Sequence, residues 1–130
     1  MFRLILSIAI GWILGRERKK HDKNAGSRTL SLICCSACLL AVLSLELSKV
    51  QTFDFVRLMS YFLPAIGFIG MGIVHRSGGN VDGLTTSATL LAVLPIGFCL
   101  GLGYFFYGII SAIFVYILLE SKYWKGIKND

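Results

Sequence analysis

Apolar runs recur along the chain at Leu4 to Leu14, Leu30 to Leu45, Phe55 to Val74 and Leu84 to Leu119, each parted from the next by a short polar interval that carries charge. A helix rises about 1.5 Å per residue, so about 20 residues cross the roughly 30 Å hydrocarbon core of a bilayer. The second and third runs each predict one crossing. The fourth would form a helix of roughly 54 Å, too long to cross once, and is expected to fold back at Gly101-Leu102-Gly103. That division gives spans near Thr86 to Leu100 and Tyr104 to Leu119. The first run is short, but Arg3 and Arg16 at its two ends can snorkel while their stems stay in lipid. The pattern predicts an all-α fold: a polytopic transmembrane helix bundle of about five spans over residues 1–121, then a short basic tail over 122–130.

Composition explains why lipid is the solvent. Of 130 residues, 55% are apolar and 15% are charged, against about 25% charged in an average soluble domain. A core this small cannot bury that excess. The net charge of +6 is informative by position. Arg16, Arg18, Lys19, Lys20, Lys23 and Arg28 crowd one interval, and Arg76, Lys122, Lys125 and Lys128 fall on the same side once the spans alternate. Only Arg3, Lys49 and Arg57 fall opposite. Because Lys and Arg are retained on the cytoplasmic side, the N-terminus is expected outside and the C-terminus inside. The first run ends in Gly15-Arg16-Glu17-Arg18 without a small-x-small cleavage pattern, so it is expected to be retained. The basic interval is short, clamped between apolar segments and free of interleaved aromatics, so no nucleic-acid partner is expected.

Helices in lipid associate through close backbone contact and hydrogen bonds, which makes small residues informative. Gly11 and Gly15 stand four apart, as do Gly97 and Gly101; each pair offers a small-xxx-small face. Gly67, Gly70 and Gly72 are expected to smooth one side of the third span. Pro64 has no amide proton, so the Ser60 carbonyl loses its usual partner and a bend is expected there.

Candidate chemistry is sparse. Cys34, Cys35, Cys38 and Cys99 lie inside spans, while His21 and His75 belong to loops, so the thiols read as small packing residues rather than zinc ligands. No nucleophile-base pair, P-loop or dinucleotide fingerprint is present, and no enzymatic activity is expected. Polar groups collect in two intervals on the inner side. One joins Glu17 and Arg18 to Arg28 and Thr29, and Glu17, Arg18 and Arg28 are expected to form a polar cluster. The other runs from Gly78 to Thr89. There Asp82 is placed to cap the fourth span, and Thr85, Thr86 and Thr89 set hydroxyls on one helix face.

At these segments the chain resembles the MgtC/SapB family of bacterial membrane proteins, from about Arg3 to Leu119. The resemblance rests on ordered motifs: Gly-Arg-Glu-Arg at 15–18, Ala-Gly-Ser-Arg-Thr at 25–29, Asp54 with Arg57, Ile-Gly-Phe-Ile-Gly-Met-Gly at 66–72 and Val-Asp-Gly-Leu-Thr-Thr-Ser-Ala-Thr-Leu at 81–90. It implies a bacterial inner-membrane protein of about five helices, associated with growth under magnesium limitation and survival inside host cells. Members have been linked to magnesium uptake and, alternatively, to regulation of membrane machines such as the F-type ATP synthase and cation transporters. Many members also carry a soluble C-terminal domain of ACT-like fold, and this chain is expected to be a short form without it. Leu30 and Leu91 depart from the family pattern, where a polar residue and Trp respectively are frequent.

Two functions follow as expectations. The first is a non-enzymatic regulator of magnesium homeostasis that docks on a membrane partner, consistent with carboxylates lying only near span ends. The second is a magnesium transporter or channel working as an oligomer, with Glu17 and Asp82 as candidate Mg2+ residues beside the threonine hydroxyls; the ion would then be bound largely hydrated. A holin-like permeabilising protein fits the size but none of the motifs. Besides the bilayer, a homo-oligomer, a dimer first, is the expected partner, and no cofactor other than Mg2+ is implied.

Overall fold

A computed structural model describes residues 1–20, 25–49, 54–77 and 80–124. Five helices account for nearly all of them: α1 (Phe2–Lys20), α2 (Ser27–Ser48), α3 (Phe55–Ile73), α4 (Leu84–Leu102) and α5 (Phe105–Trp124). The fold is thus an all-α helix bundle. By length and composition α2, α3 and α4 are sufficient to cross a membrane, and α5 contains a shorter apolar stretch, Phe105–Ser121. The fold-back falls at the expected tripeptide, since α4 ends at Leu102 and Gly103 takes the left-handed conformation, φ 94°, that ends helices.

Three local details differ from expectation. The charges at Arg16 to Lys20 do not start a loop but form the last turns of α1. Lys and Arg are good helix formers, and positive charge suits a helix C-terminus. Likewise α5 stays helical through Trp124, past the tail boundary drawn at 122, while Lys125 and Lys128 lie outside the described residues. Between α3 and α4 a two-stranded antiparallel hairpin pairs β1 (His75–Ser77) with β2 (Asn80–Asp82), with Arg76 opposite Val81.

The core is a sandwich of α2 between α1 and α4, held by the two predicted glycine pairs. A Cβ on Gly11 would sit 2.6 Å from the Ser31 Cα, and one on Gly15 would strike the Ser27 backbone. Contacts 11 to 31 and 15 to 27 run in opposite directions, so α1 and α2 are antiparallel. On the other flank Gly97 lies against Cys34 and Ala37, and Gly101 against Cys38 and Ala41; here numbers rise together, so α2 and α4 are parallel. Cys34, Ala37, Cys38 and Ala41 are fully buried, as packing residues should be where backbones nearly touch. The cysteines are free thiols.

The outer helices attach more loosely. Phe98 of α4 meets Phe55 and Phe62 of α3 edge to face, with centroids 5.4 and 6.0 Å apart. Gly70 packs on Ser87, and the positive-φ Gly83 lies so close to the Ile73 carbonyl that a Cβ would collide. Gly67 and Gly72 meet nothing within 4 Å, so of the three glycines expected to form one smooth side of α3 only Gly70 faces the bundle. Spacing within one helix cannot say which face a neighbour takes. Helix α5 rests on α4 where Gly108 meets Leu100. Arg3 does more than snorkel: its Nη1 donates to the Gly101 carbonyl at 2.8 Å, tying the start of α1 to the end of α4. That carbonyl belongs to the last turn, which lacks intrahelical donors, and a cation there also opposes the helix dipole.

Overpacking a tight backbone contact costs about 1–3 kcal/mol or more. Gly97→Leu and Gly101→Leu are therefore expected to lower the melting temperature of the purified protein in detergent sharply, and Gly67→Leu to leave it unchanged. Equal effects at Gly101 and Gly67 would contradict the packing.

Candidate functional site

The polar residues singled out by sequence divide into a buried group and an exposed one. Glu17 and Arg18 close the charged end of α1 and are 4% and 2% exposed. Arg18 Nη2 donates to the Thr86 hydroxyl at 2.9 Å, and its Nη1 stands 3.9 Å from a Glu17 carboxylate oxygen. The Arg18 Nε is buried without a hydrogen-bond partner. Thr86 is 1% exposed, and Thr89, also buried, donates to the Thr85 carbonyl at 2.7 Å. A charge placed this deep is tolerated when paired and hydrogen-bonded. The bond to Thr86 is possible because the Gly15 contact with Ser27 draws this end of α1 into the bundle.

The other predicted members do not join. Arg28 is exposed and forms no ion pair with a described residue. Helical geometry gives the reason: Ser27 is the residue pressed against Gly15, and Arg28, about 100° further round the helix, is turned away. The expected trio of Glu17, Arg18 and Arg28 is thus a pair completed by Thr86. Thr29 is half-buried, whereas Thr85 and Asp82 are exposed, so the threonines split between two faces. Asp82 belongs to β2 and does not cap α4; Gly83, at φ 88°, is the cap residue and supplies no side-chain bond. The two magnesium candidates therefore differ in setting, Glu17 inside the bundle and Asp82 on the exposed hairpin. Among the described residues no three His, Cys, Asp or Glu are placed to hold a metal ion together. His21 and Lys23 lie outside the described residues.

At the opposite end Asp54 and Arg57 meet as a helix cap. The Asp54 carboxylate accepts from the backbone N–H of Arg57 at 3.2 Å, and both residues are exposed. The family resemblance marked the pair but not which atoms meet. Sequence reasoning passed over Ser7, Ser31 and Ser44, all buried. Ser31 donates to the Ile8 carbonyl at 3.3 Å, stitching α2 to α1, while Ser7 and Ser44 turn back on their own helices at the Leu4 and Leu40 carbonyls. Hydroxyls inside a long apolar run were the available signal. Removing an N-cap costs about 1 kcal/mol. Asp54→Ala is accordingly expected to destabilise the protein by about that amount in a detergent melt, and Arg57→Ala to have little effect, because Asp54 binds the Arg57 backbone and not its side chain.

Comparison with known proteins meets this geometry at family level. The MgtC family profile matches residues 4–125. The SapB protein of Bacillus subtilis is 29% identical over 132 residues, covering 95% of this chain and 56% of its own length. The MgtC protein of Salmonella typhimurium is 33% identical over 105 residues, covering 81% of this chain and 44% of its own. The SrpB protein of Synechococcus elongatus is 28% identical, covering 92% of this chain and 72% of its own. The chain thus spans about half the length of SapB and MgtC. No solved structure matches it. A helix bundle with several membrane-crossing segments and a profile match over nearly its whole length place the chain in the MgtC family of bacterial inner-membrane proteins.

Proposed function

We propose that this protein is a non-enzymatic regulator in magnesium homeostasis, which docks on a membrane partner through the exposed side of α3. The magnesium link comes from the family resemblance; the docking surface comes from the packing of α3. Of its residues only Ile66 and Gly70 are buried. Ser60, Tyr61 and Pro64 are exposed, and Gly67 and Gly72 meet open space. Pro64 denies the Ser60 carbonyl its helical amide partner, while the Ser60 hydroxyl is spent on the Val56 carbonyl at 2.9 Å. A carbonyl left this way in hydrocarbon is costly, and membrane helices recover the cost from neighbours. The largely exposed length of α3, in which Pro64 withholds an amide from the Ser60 carbonyl and Gly67, two turns on, meets open space, is the observation that carries the proposal. The basic end of α1 would face the cytoplasm and the N-terminus the outside. The F-type ATP synthase and cation transporters are the partner classes that the family suggests.

Transport by an oligomer makes the opposite demand, a path for magnesium through the assembly. Purified protein in liposomes is expected to pass no magnesium, and robust flux without any added protein would sink the docking account. In membranes from cells grown at low magnesium, Gly67→Leu is expected to abolish co-purification of the ATP synthase or a cation transporter while leaving the melting temperature intact. Unchanged co-purification would remove α3 from the interface.

A further inference from the structure

Away from α3, the side of the bundle formed by α1 and α5 carries a groove. It holds about 380 Å³ and is walled by Leu6, Ile10 and Ile13 of α1 and by Ile109, Ile113 and Tyr116 of α5. These helices run the same way, since α1 opposes α2, α2 parallels α4, and the turn at Gly103 reverses α5 against α4. Leu6 to Ile13 and Ile109 to Tyr116 are therefore matching steps, each about 10 Å long. Both lead toward the charged end of α1. Lys20 follows Ile13 by two turns on the same side, and Arg16 stands between them. Both cations are exposed and neither forms an ion pair with a described residue; Glu120, one turn beyond Tyr116, pairs with neither.

We infer that the groove between α1 and α5 binds an anionic phospholipid, one acyl chain lying along Ile10, Ile13 and Ile113 with its phosphate held by Arg16 and Lys20. A slot that is apolar along its length, with Arg16 and Lys20 one and two turns beyond its Ile13 wall and neither ion-paired to a described residue, matches the two halves of such a lipid, and basic pockets between membrane helices are a recurrent site for anionic headgroups. The exposed cations at the charged end of α1 favour an anionic lipid over an apolar partner helix. The inference is independent of the α3 docking face and would stand if that reading failed.

The test is native mass spectrometry of the full chain released from nanodiscs of equal phosphatidylglycerol and phosphatidylcholine. The parent is expected to retain phosphatidylglycerol with a preference on the order of tenfold. Arg16→Gln with Lys20→Gln is expected to abolish the preference. Ile13→Trp, at a position already 55% exposed and so tolerant of bulk, is expected to reduce retention of both lipids without lowering the melting temperature. Equal retention of the two lipids by the parent would overturn the inference, as would an undiminished preference in the charge variant. A photocross-linker at Ile113 that labelled a protein segment in place of lipid would overturn it too.

Discussion

The backbone of α2 is approached from both sides at distances that only glycine permits, and the rest of the bundle is arranged around that contact. Gly11 and Gly15 press on Ser31 and Ser27, while Gly97 and Gly101 press on the turns of Cys34 and Cys38. In lipid, apolar side chains gain little by leaving the solvent, so dispersion contact and hydrogen bonds at short range must hold helices together. Once α2 is clasped in this way, the ends of α1 are brought to α4 on either side of it. One end makes the Arg3 bond to the Gly101 carbonyl and the other the Arg18 bond to Thr86.

Those two arginines are unequal. Arg3 is partly exposed and satisfies a helix end that would otherwise lack donors. Arg18 is buried with Glu17 beside it and an Nε without a bond. Such groups seldom add net stability over an apolar replacement, yet breaking one partner is expensive. The bond that Arg18 makes joins α1 to α4 at one register. With α1, α2 and α4 packed in this way, α3 and α5 are left on the outside of the bundle, beside the exposed sides of α1 and α2.

Much of this was legible in the sequence because the bilayer imposes lengths. A run ending at Leu119 cannot cross once, so the reversal at Gly103 followed from arithmetic. The pairs Gly11 with Gly15 and Gly97 with Gly101 were legible because four-residue spacing repeats on one helix face. Gly67 and Gly72, which stand five apart, follow no such spacing, and a glycine shows that close approach is feasible and not what approaches. Arg28 illustrates the limit at a finer scale: its closeness to Arg18 in the folded hairpin was foreseeable, but a rotation of one residue past Ser27 turned it outward. The strands His75–Ser77 and Asn80–Asp82 are not legible in the sequence because three residues leave no periodic trace, and Asp82 is drawn into the second of them and away from the capping role.

Arg18 and Thr86 lock α1 to α4 inside the bundle, and a double-mutant cycle measures that lock most directly. Arg18→Met, Thr86→Val and the double variant would be unfolded reversibly in detergent micelles beside the parent. Residues joined by a buried charge-assisted bond should couple by at least about 1 kcal/mol, the double variant losing less than the sum of the singles. Additivity within about 0.3 kcal/mol would show that the two side chains do not meet.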